Sequence, residues 1–198
     1  MIVTRGWVNM KYQKSKILAV CIAALLVTTL VVFVYQYDNI NRKYPNPKRI
    51  TYKMDEEFSF YGLELKFVNM EILTFDRLIQ KYKISTDNLQ GIEGTEEKVV
   101  LINVQIVNKT DEEKIIELFR FSIQSGAWSN DLNYELFLAI NKNSSVQPTL
   151  KQNQKMSVII PYSAYNVQFT EKNWRSFTTR EFEVSLSSYP VKEIVKLN

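Results

Sequence analysis

Histidine is absent from all 198 residues. That removes Ser-His-Asp and Cys-His catalysis and every histidine-based metal site. Cysteine occurs once, as Cys21, inside an apolar run. The rest of the chain therefore has neither a disulfide nor a thiolate nucleophile, and must rely on its core for stability. Five glycines are too few and too scattered for a phosphate-cradling loop, and Gly91 and Gly94 precede no helix-plus-lysine pattern. The serines have no base partner other than lysine, and sequence alone positions no Ser-Lys pair. No enzyme chemistry is spelled out, and no cofactor is implied.

What is present begins with "KSKILAVCIAALLVTTLVVFVYQY", residues 14–37. From Ile17 to Tyr35 there is no charge, and a helix of that length covers about 28 Å, close to a bilayer core of about 30 Å. Signal peptidase needs small residues just after such a run, but this one ends Val34-Tyr35-Gln36-Tyr37. The segment Leu18-Ala19-Val20-Cys21 loosely resembles a lipobox, yet Val20 is not small and only four apolar residues precede Cys21. The expectation is an uncleaved signal-anchor with Cys21 as a small apolar residue in lipid. A compact basic segment follows Met10, which makes Met10 an alternative start to Met1.

Charge follows the membrane. Arg5, Lys11, Lys14 and Lys16 precede the run, and Arg42, Lys43, Lys48, Arg49 and Lys53 follow it. Four against five does not orient the span. The first set abuts the apolar run, and a long C-terminal domain translocates largely regardless of its charge, so a cytoplasmic N-terminus is expected. Residues 54–198 hold 16 Lys/Arg against 20 Asp/Glu, a net of −4, so the pI of about 9.0 reflects bases flanking the membrane. Lys11, Lys14, Lys16, Arg42, Lys43, Lys48 and Arg49 are candidates for lipid headgroup contact, and nucleic acid is not an expected partner.

Residues 36–50, with Pro45 and Pro47, read as a stalk, partly extended. Period-two alternation follows. "FSFYGLELKFVNMEIL" gives two strands divided at Gly62, with a parity change near Val68 that predicts a bulge. Phe75, Leu78, Ile79 and Tyr82 form a helical stripe with Thr74 able to cap it, and "STDNLQGIEGTEEK" reads as a loop. Strands are then expected with Ile102, Val104 and Ile106 on one face, and with Phe119, Phe121 and Ile123 on another. Further strands set together Tyr134, Leu136, Leu138 and Ile140, then Met156, Val158 and Ile160, and finally Phe182, Val184 and Leu186. One-sided alternation of this kind marks antiparallel sheets around a shared core.

"VVLINVQIVNKTDEEKIIELFRFSI" is a strand ending in Asn, a polar turn and a second strand, and "PTLKQNQKMSVIIPY" is a turn leading into a strand that ends in Pro. Over residues 98–188 this resembles the immunoglobulin-like extracytoplasmic domains of unknown function in Gram-positive lipoproteins and membrane-anchored proteins. The helix "FDRLIQKY" fits single-pass members. Asn153 stands where the usual turn has Gly, and the anchor is a span, not a lipidated Cys. The resemblance implies fold and location and no catalytic residue.

The organisation expected is a cytoplasmic basic tail at 1–16, a transmembrane helix at 17–35, the stalk at 36–50 and an extracytoplasmic domain at 51–198. The fold expected is mainly β: an Ig-like antiparallel β-sandwich with one short helix. The acids Asp55-Glu56-Glu57, Glu96-Glu97 and Asp111-Glu112-Glu113 fall in polar turns and are expected to be solvated. Asn108, Asp111 and Glu113 offer oxygen ligands for Ca²⁺ but match no known ligand spacing. Asn108-Lys109-Thr110 and Asn143-Ser144-Ser145 match the glycosylation sequon, which carries no meaning in most bacteria. Trp128, Trp174, Tyr162 and Tyr165, with Phe75 and Tyr82 of the helix, are candidate partner contacts; the competing reading has the loop aromatics plug the sandwich ends. The expected function is non-catalytic binding or an accessory role at the envelope, with a protein or peptide partner. The alternatives are an immunity or sensing protein that intercepts a peptide at the membrane, or a histidine-independent cell-wall processing enzyme.

Overall fold

The structure is a computed structural model. It describes residues 3–85, 95–142 and 144–198, with side chains from Lys16 onward. The chain divides into two units, residues 1–46 and 47–198.

The first unit is one helix, α1 (Val3–Lys43). Its stretch Lys16–Lys43 is long and apolar enough to cross a membrane. The apolar side chains point outward all round, and Cys21 is exposed among them. Two hydroxyls in the run are satisfied within the helix: Thr28 Oγ1 donates to the Ala24 carbonyl and Thr29 Oγ1 to the Leu25 carbonyl, each at 2.9 Å. An extended stalk over 36–50 is not what forms. The helix continues to Lys43, steadied by an Arg42–Asp38 pair at 2.7 Å one turn apart, and the first strand begins at Lys48. Pro45 and Pro47 break the helix only after it has run past the apolar stretch.

The second unit starts with β1 (Lys48–Lys53), β2 (Glu57–Phe60), β3 (Leu63–Thr74), α2 (Phe75–Tyr82) and β4 (Glu97–Asn108). There follow β5 (Lys114–Ile115), a 3₁₀ turn at Leu118–Arg120, β6 (Ser122–Ser125), β7 (Trp128–Asp131) and α3 (Tyr134–Ile140). The chain closes with β8 (Thr149–Leu150), β9 (Lys155–Tyr165), α4 (Glu171–Arg175), β10 (Glu183–Ser187) and β11 (Val191–Lys196). One sheet has the order β1-β11-β10-β6-β7 and the other β2-β3-β4-β9, with β5 and β8 a separate pair. Among the described strands, β1–β11 is the one parallel pair.

The result is a β-sandwich-like fold. Leu65, Phe67, Ile102, Val104, Ile106, Val158, Ile160 and Tyr162 face Phe121, Ile123, Val184, Leu186 and Val195, all buried in one cluster. The alternation read for β4, β9 and β10 places these residues as expected. The bulge sits between Phe67 and Asn69. The outer face of the four-stranded sheet is covered too: Leu78 of α2 and Leu136 of α3 pack with Val99 and Leu101. That double burial explains the unbroken apolar run at residues 99–102, where alternation fails.

Three expectations differ from the fold. "YELFLAI" is the helix α3, not a strand. Asn133 caps it by accepting from the Leu136 N–H, Leu136 and Phe137 turn inward, and Tyr134 and Leu138 are exposed. A short apolar run fits either period, and the cap decides. Phe119 lies in the 3₁₀ turn and is exposed, while Leu118 takes the core position. Thr74 precedes α2 but makes no side-chain cap bond. The loop expected at residues 85–98 lies largely outside the described residues. At the turn before β9, Asn153 adopts φ +58°, which Asn tolerates almost as Gly does.

Candidate functional site

Hairpin β2–β3 closes with two residues, Tyr61 and Gly62, at φ +48° and +81°. Such a turn suits the sheet twist and normally takes Asn-Gly. Gly62 is required, since a Cβ there would lie 3.1 Å from Thr110 Cγ2 in a conformation L side chains avoid. Tyr61 is the anomaly: a bulky residue held at positive φ with its side chain 77% exposed. Its ring meets Phe60 edge-on at 4.5 Å between centroids.

Beside this tip lies a cleft of about 850 Å³. The hairpin, the segment from Ile115 to Phe121 and the β10–β11 turn at Leu186–Tyr189 enclose it. Its walls are more apolar than polar, with Phe60, Leu63, Phe121 and Leu186 on the apolar side and Ser187 and Ser188 among the polar lining. Exposed Tyr61, Ile115 and Tyr189 stand on its rim. Three polar groups converge there: Arg120 Nε reaches Glu117 Oε2 at 2.6 Å, and Gln147 Nε2 donates to Glu117 Oε1 at 3.3 Å. An apolar cleft with a few convergent polar groups is the usual form of a binding site. From sequence, Phe121 and Leu186 are expected on core faces, and none of the lining residues is named as a binding residue. The one available signal was Tyr before Gly in a two-residue hairpin, where Asn relaxes the turn and Tyr does not.

The aromatics expected at a partner surface are mostly inside. Trp128, Trp174 and Tyr162 are buried. Trp128 and Trp174 interlock with Phe169, Phe177 and Phe182 through tilted and edge-on contacts of 5.3–6.4 Å. They plug the sandwich, and their N–H groups bond to Gln168 at 3.2 Å and Glu96 at 2.6 Å. Tyr162 donates its hydroxyl to the Phe121 carbonyl across the core at 3.1 Å. Tyr165 is half-buried beside Glu97, and Phe75 and Tyr82 are half-buried on the second core cluster.

Among the acids, Glu97 departs from the solvated expectation. It is half-buried, and burial raises its pKa against the hydrogen bonds from Ser163 and Tyr165, which lower it. Nearby Lys98 donates to the Trp174 carbonyl at 2.8 Å and lies 4.2 Å over the Trp174 ring; burial lowers its pKa. The oxygen of Asn108 accepts from Thr110 and its amide donates to main-chain carbonyls, so it is committed to the turn and not to an ion. Among the described residues no group of three or more His, Cys, Asp or Glu could hold a metal. Of the headgroup candidates, the side chains of Lys11 and Lys14, like Asn143 of the second sequon, lie outside the described residues. Lys16, Arg42, Lys43 and Lys48 are exposed. Arg49 pairs with Glu183 at 3.0 Å.

Residues 43–193 match the family model described as a domain of unknown function, DUF5028. No curated protein matches the chain. Its fold is similar to that of the yjhA protein from Bacillus subtilis (11% identity, 74% of this chain and 99% of that one, TM-score 0.43). It is also similar to a conserved hypothetical protein from Bacillus anthracis (12%, 74% and 95%, TM-score 0.49). A third similar structure is an uncharacterized β-sandwich protein from Clostridium difficile (10%, 77% and 98%, TM-score 0.42).

Proposed function

The chain belongs to the DUF5028 family, whose description names no activity, and we propose that it is a single-pass membrane protein with a non-catalytic binding domain outside the cell. The N-terminus is cytoplasmic, the apolar helix is retained, and exposed Lys16, Arg42 and Lys43 meet lipid headgroups. The domain binds a protein or peptide partner at the envelope. The observation that carries this is the cleft beside Tyr61. An exposed aromatic rim over an apolar slot, with Arg120 among its polar groups, has the composition of an interaction hot spot.

The strand pairing supports the finer, immunoglobulin-like reading. The order β7-β6-β10-β11 follows the C′-C-F-G order of a variable-type domain, and β4 pairs with β9 as strand B does with E.

Crosslinking on intact cells, followed by capture of the full chain, tests the binding reading. A specific envelope partner is expected, and its yield falls in a Tyr61→Ala/Tyr189→Ala variant. A yield unchanged in that variant removes the cleft from binding. Turnover of wall fragments by the purified protein overturns the non-catalytic reading. Protease that removes the domain only after lysis reverses the orientation.

A further inference from the structure

The sheet edges are treated unequally. Asn141 closes the outer edge of β9 by donating to the Ile159 carbonyl at 2.7 Å and accepting from the Ile159 N–H at 2.8 Å. The Asn133 N–H bonds the Pro161 carbonyl at 2.8 Å, and Asn130 Nδ2 bonds the Ser163 carbonyl at 2.6 Å. Strand β1, at the end of the five-stranded sheet, is closed in this way only at Lys53, whose carbonyl accepts from the Glu56 N–H at 3.3 Å; among the described residues Arg49 and Thr51 have no such cover. The Met54 N–H bonds the Lys196 carbonyl, whereas the Lys53 N–H turns the other way, to Glu56 Oε2 at 2.8 Å. Alternate residues of a parallel strand point the same way, so Arg49 and Thr51 aim their N–H and C=O groups outward. Among the described residues no other element bonds them.

The side chains on this edge select what can add to it. Lys48 and Lys53 are exposed and, among the described residues, have no ion pair. The nearby acids are engaged: Asp55 with Lys66 at 3.0 Å and Glu56 with the Lys53 N–H. Like charges keep a second copy of this strand away, and they favour acidic side chains on an incoming one. The strand also leads to the cleft, because Lys48 pairs with Val191, two residues beyond Tyr189 on the rim.

We propose that the outer edge of β1 takes up an extended, acidic segment of the partner by strand addition, and that the segment's end seats in the cleft. Main-chain bonds to Arg49 and Thr51 supply affinity, Lys48 and Lys53 supply charge selection, and the cleft takes an apolar side chain. This rests on the binding reading and names its partner class.

Hydrogen exchange on the full chain in nonionic detergent tests it, with a synthetic peptide alternating glutamate and valine as the probe. The Arg49 and Thr51 amides are expected to exchange about tenfold more slowly with the peptide present. A lysine–valine peptide is expected to give no protection. A Lys48→Glu/Lys53→Glu variant, which keeps the backbone unchanged, is expected to exchange these preferences. Equal exchange with and without the glutamate peptide, or equal protection by both peptides, overturns strand addition. If that occurs while envelope capture still depends on Tyr61 and Tyr189, only the strand addition fails; if the capture dependence is lost as well, the binding reading fails with it.

Discussion

Replacing Asn108 tests how one side chain closes the turn after β4. The residue is fully buried. Its Nδ2 donates to the Glu112 carbonyl at 2.7 Å and the Leu150 carbonyl at 2.9 Å, and its Oδ1 accepts from Thr110 N at 3.0 Å and Thr110 Oγ1 at 2.7 Å. Asn108→Ala removes all four bonds. Thr110 and Glu112 are near enough to solvent to find water, so their loss is about 1 kcal/mol together. The buried Leu150 carbonyl loses one of its two bonds and keeps the other, from the Lys114 N–H across the β5–β8 pair, at about 1 kcal/mol. The expected loss is about 2 kcal/mol, or about 4–8 °C in Tm for a domain of this size. Asn108→Asp separates the donors from the shape. A carboxylate accepts only, so it faces the same two carbonyls with no proton to offer. Its pKa in the folded state is then raised above its unfolded value of about 3.9. The charged form is disfavoured in the fold, so this variant is most stable below the unfolded pKa and loses stability as pH rises through the folded one. Urea unfolding of the full chain in nonionic detergent, followed by fluorescence of buried Trp128 and Trp174, measures both. An Ala variant that loses less than about 1 kcal/mol refutes the argument that the turn hangs on this residue. So does an Asp variant whose deficit fails to shrink towards pH 4.

Three further outcomes follow from the same structure. Tyr61→Asn relaxes the positive-φ turn and should stabilise the domain by about 0.5–1 kcal/mol while lowering partner capture, measured by urea midpoint and by crosslinking yield. Stability and capture falling together would remove the idea that the strain serves the cleft. Asn141→Ala uncovers both polar groups of Ile159 on the β9 edge and should cost about 1–2 kcal/mol, with more association at high concentration by light scattering. Glu97 has a raised folded pKa, so its contribution is fully present below its unfolded pKa and declines as pH rises through the folded one. Glu97→Gln should therefore gain on the parent at pH 8 and match it near pH 4, compared by urea midpoint at the two pH values.

Strand content was legible where one face is buried. Ile102, Val104 and Ile106, and likewise Phe182, Val184 and Leu186, alternate with polar residues because water meets every second position. Legibility ended where a segment is covered on both sides or too short to show a period. "YELFLAI" alternates well enough for a strand, and only Asn133 at its start, bonded to Leu136, distinguishes the helix. Trp128 and Trp174 sit in polar stretches of sequence, and the chain folds them inward from two separate segments onto Phe169, Phe177 and Phe182.

The sequence by itself determined the apolar helix, the absence of histidine chemistry, the acidic balance of the domain and the β character of its core. Those depend on composition and on neighbours within a few residues. The tertiary structure alone decided which aromatics are presented. Tyr61, Ile115, Arg120 and Tyr189 come from three separated segments and meet only once the two sheets have closed. The same closure decided the sheet edges, because Asn130 of β7 and Asn133 and Asn141 at the two ends of α3 cover β9, while among the described residues the strand order places no neighbour outside β1. A cleft and an edge are relations between distant parts of the chain, and no local period encodes them.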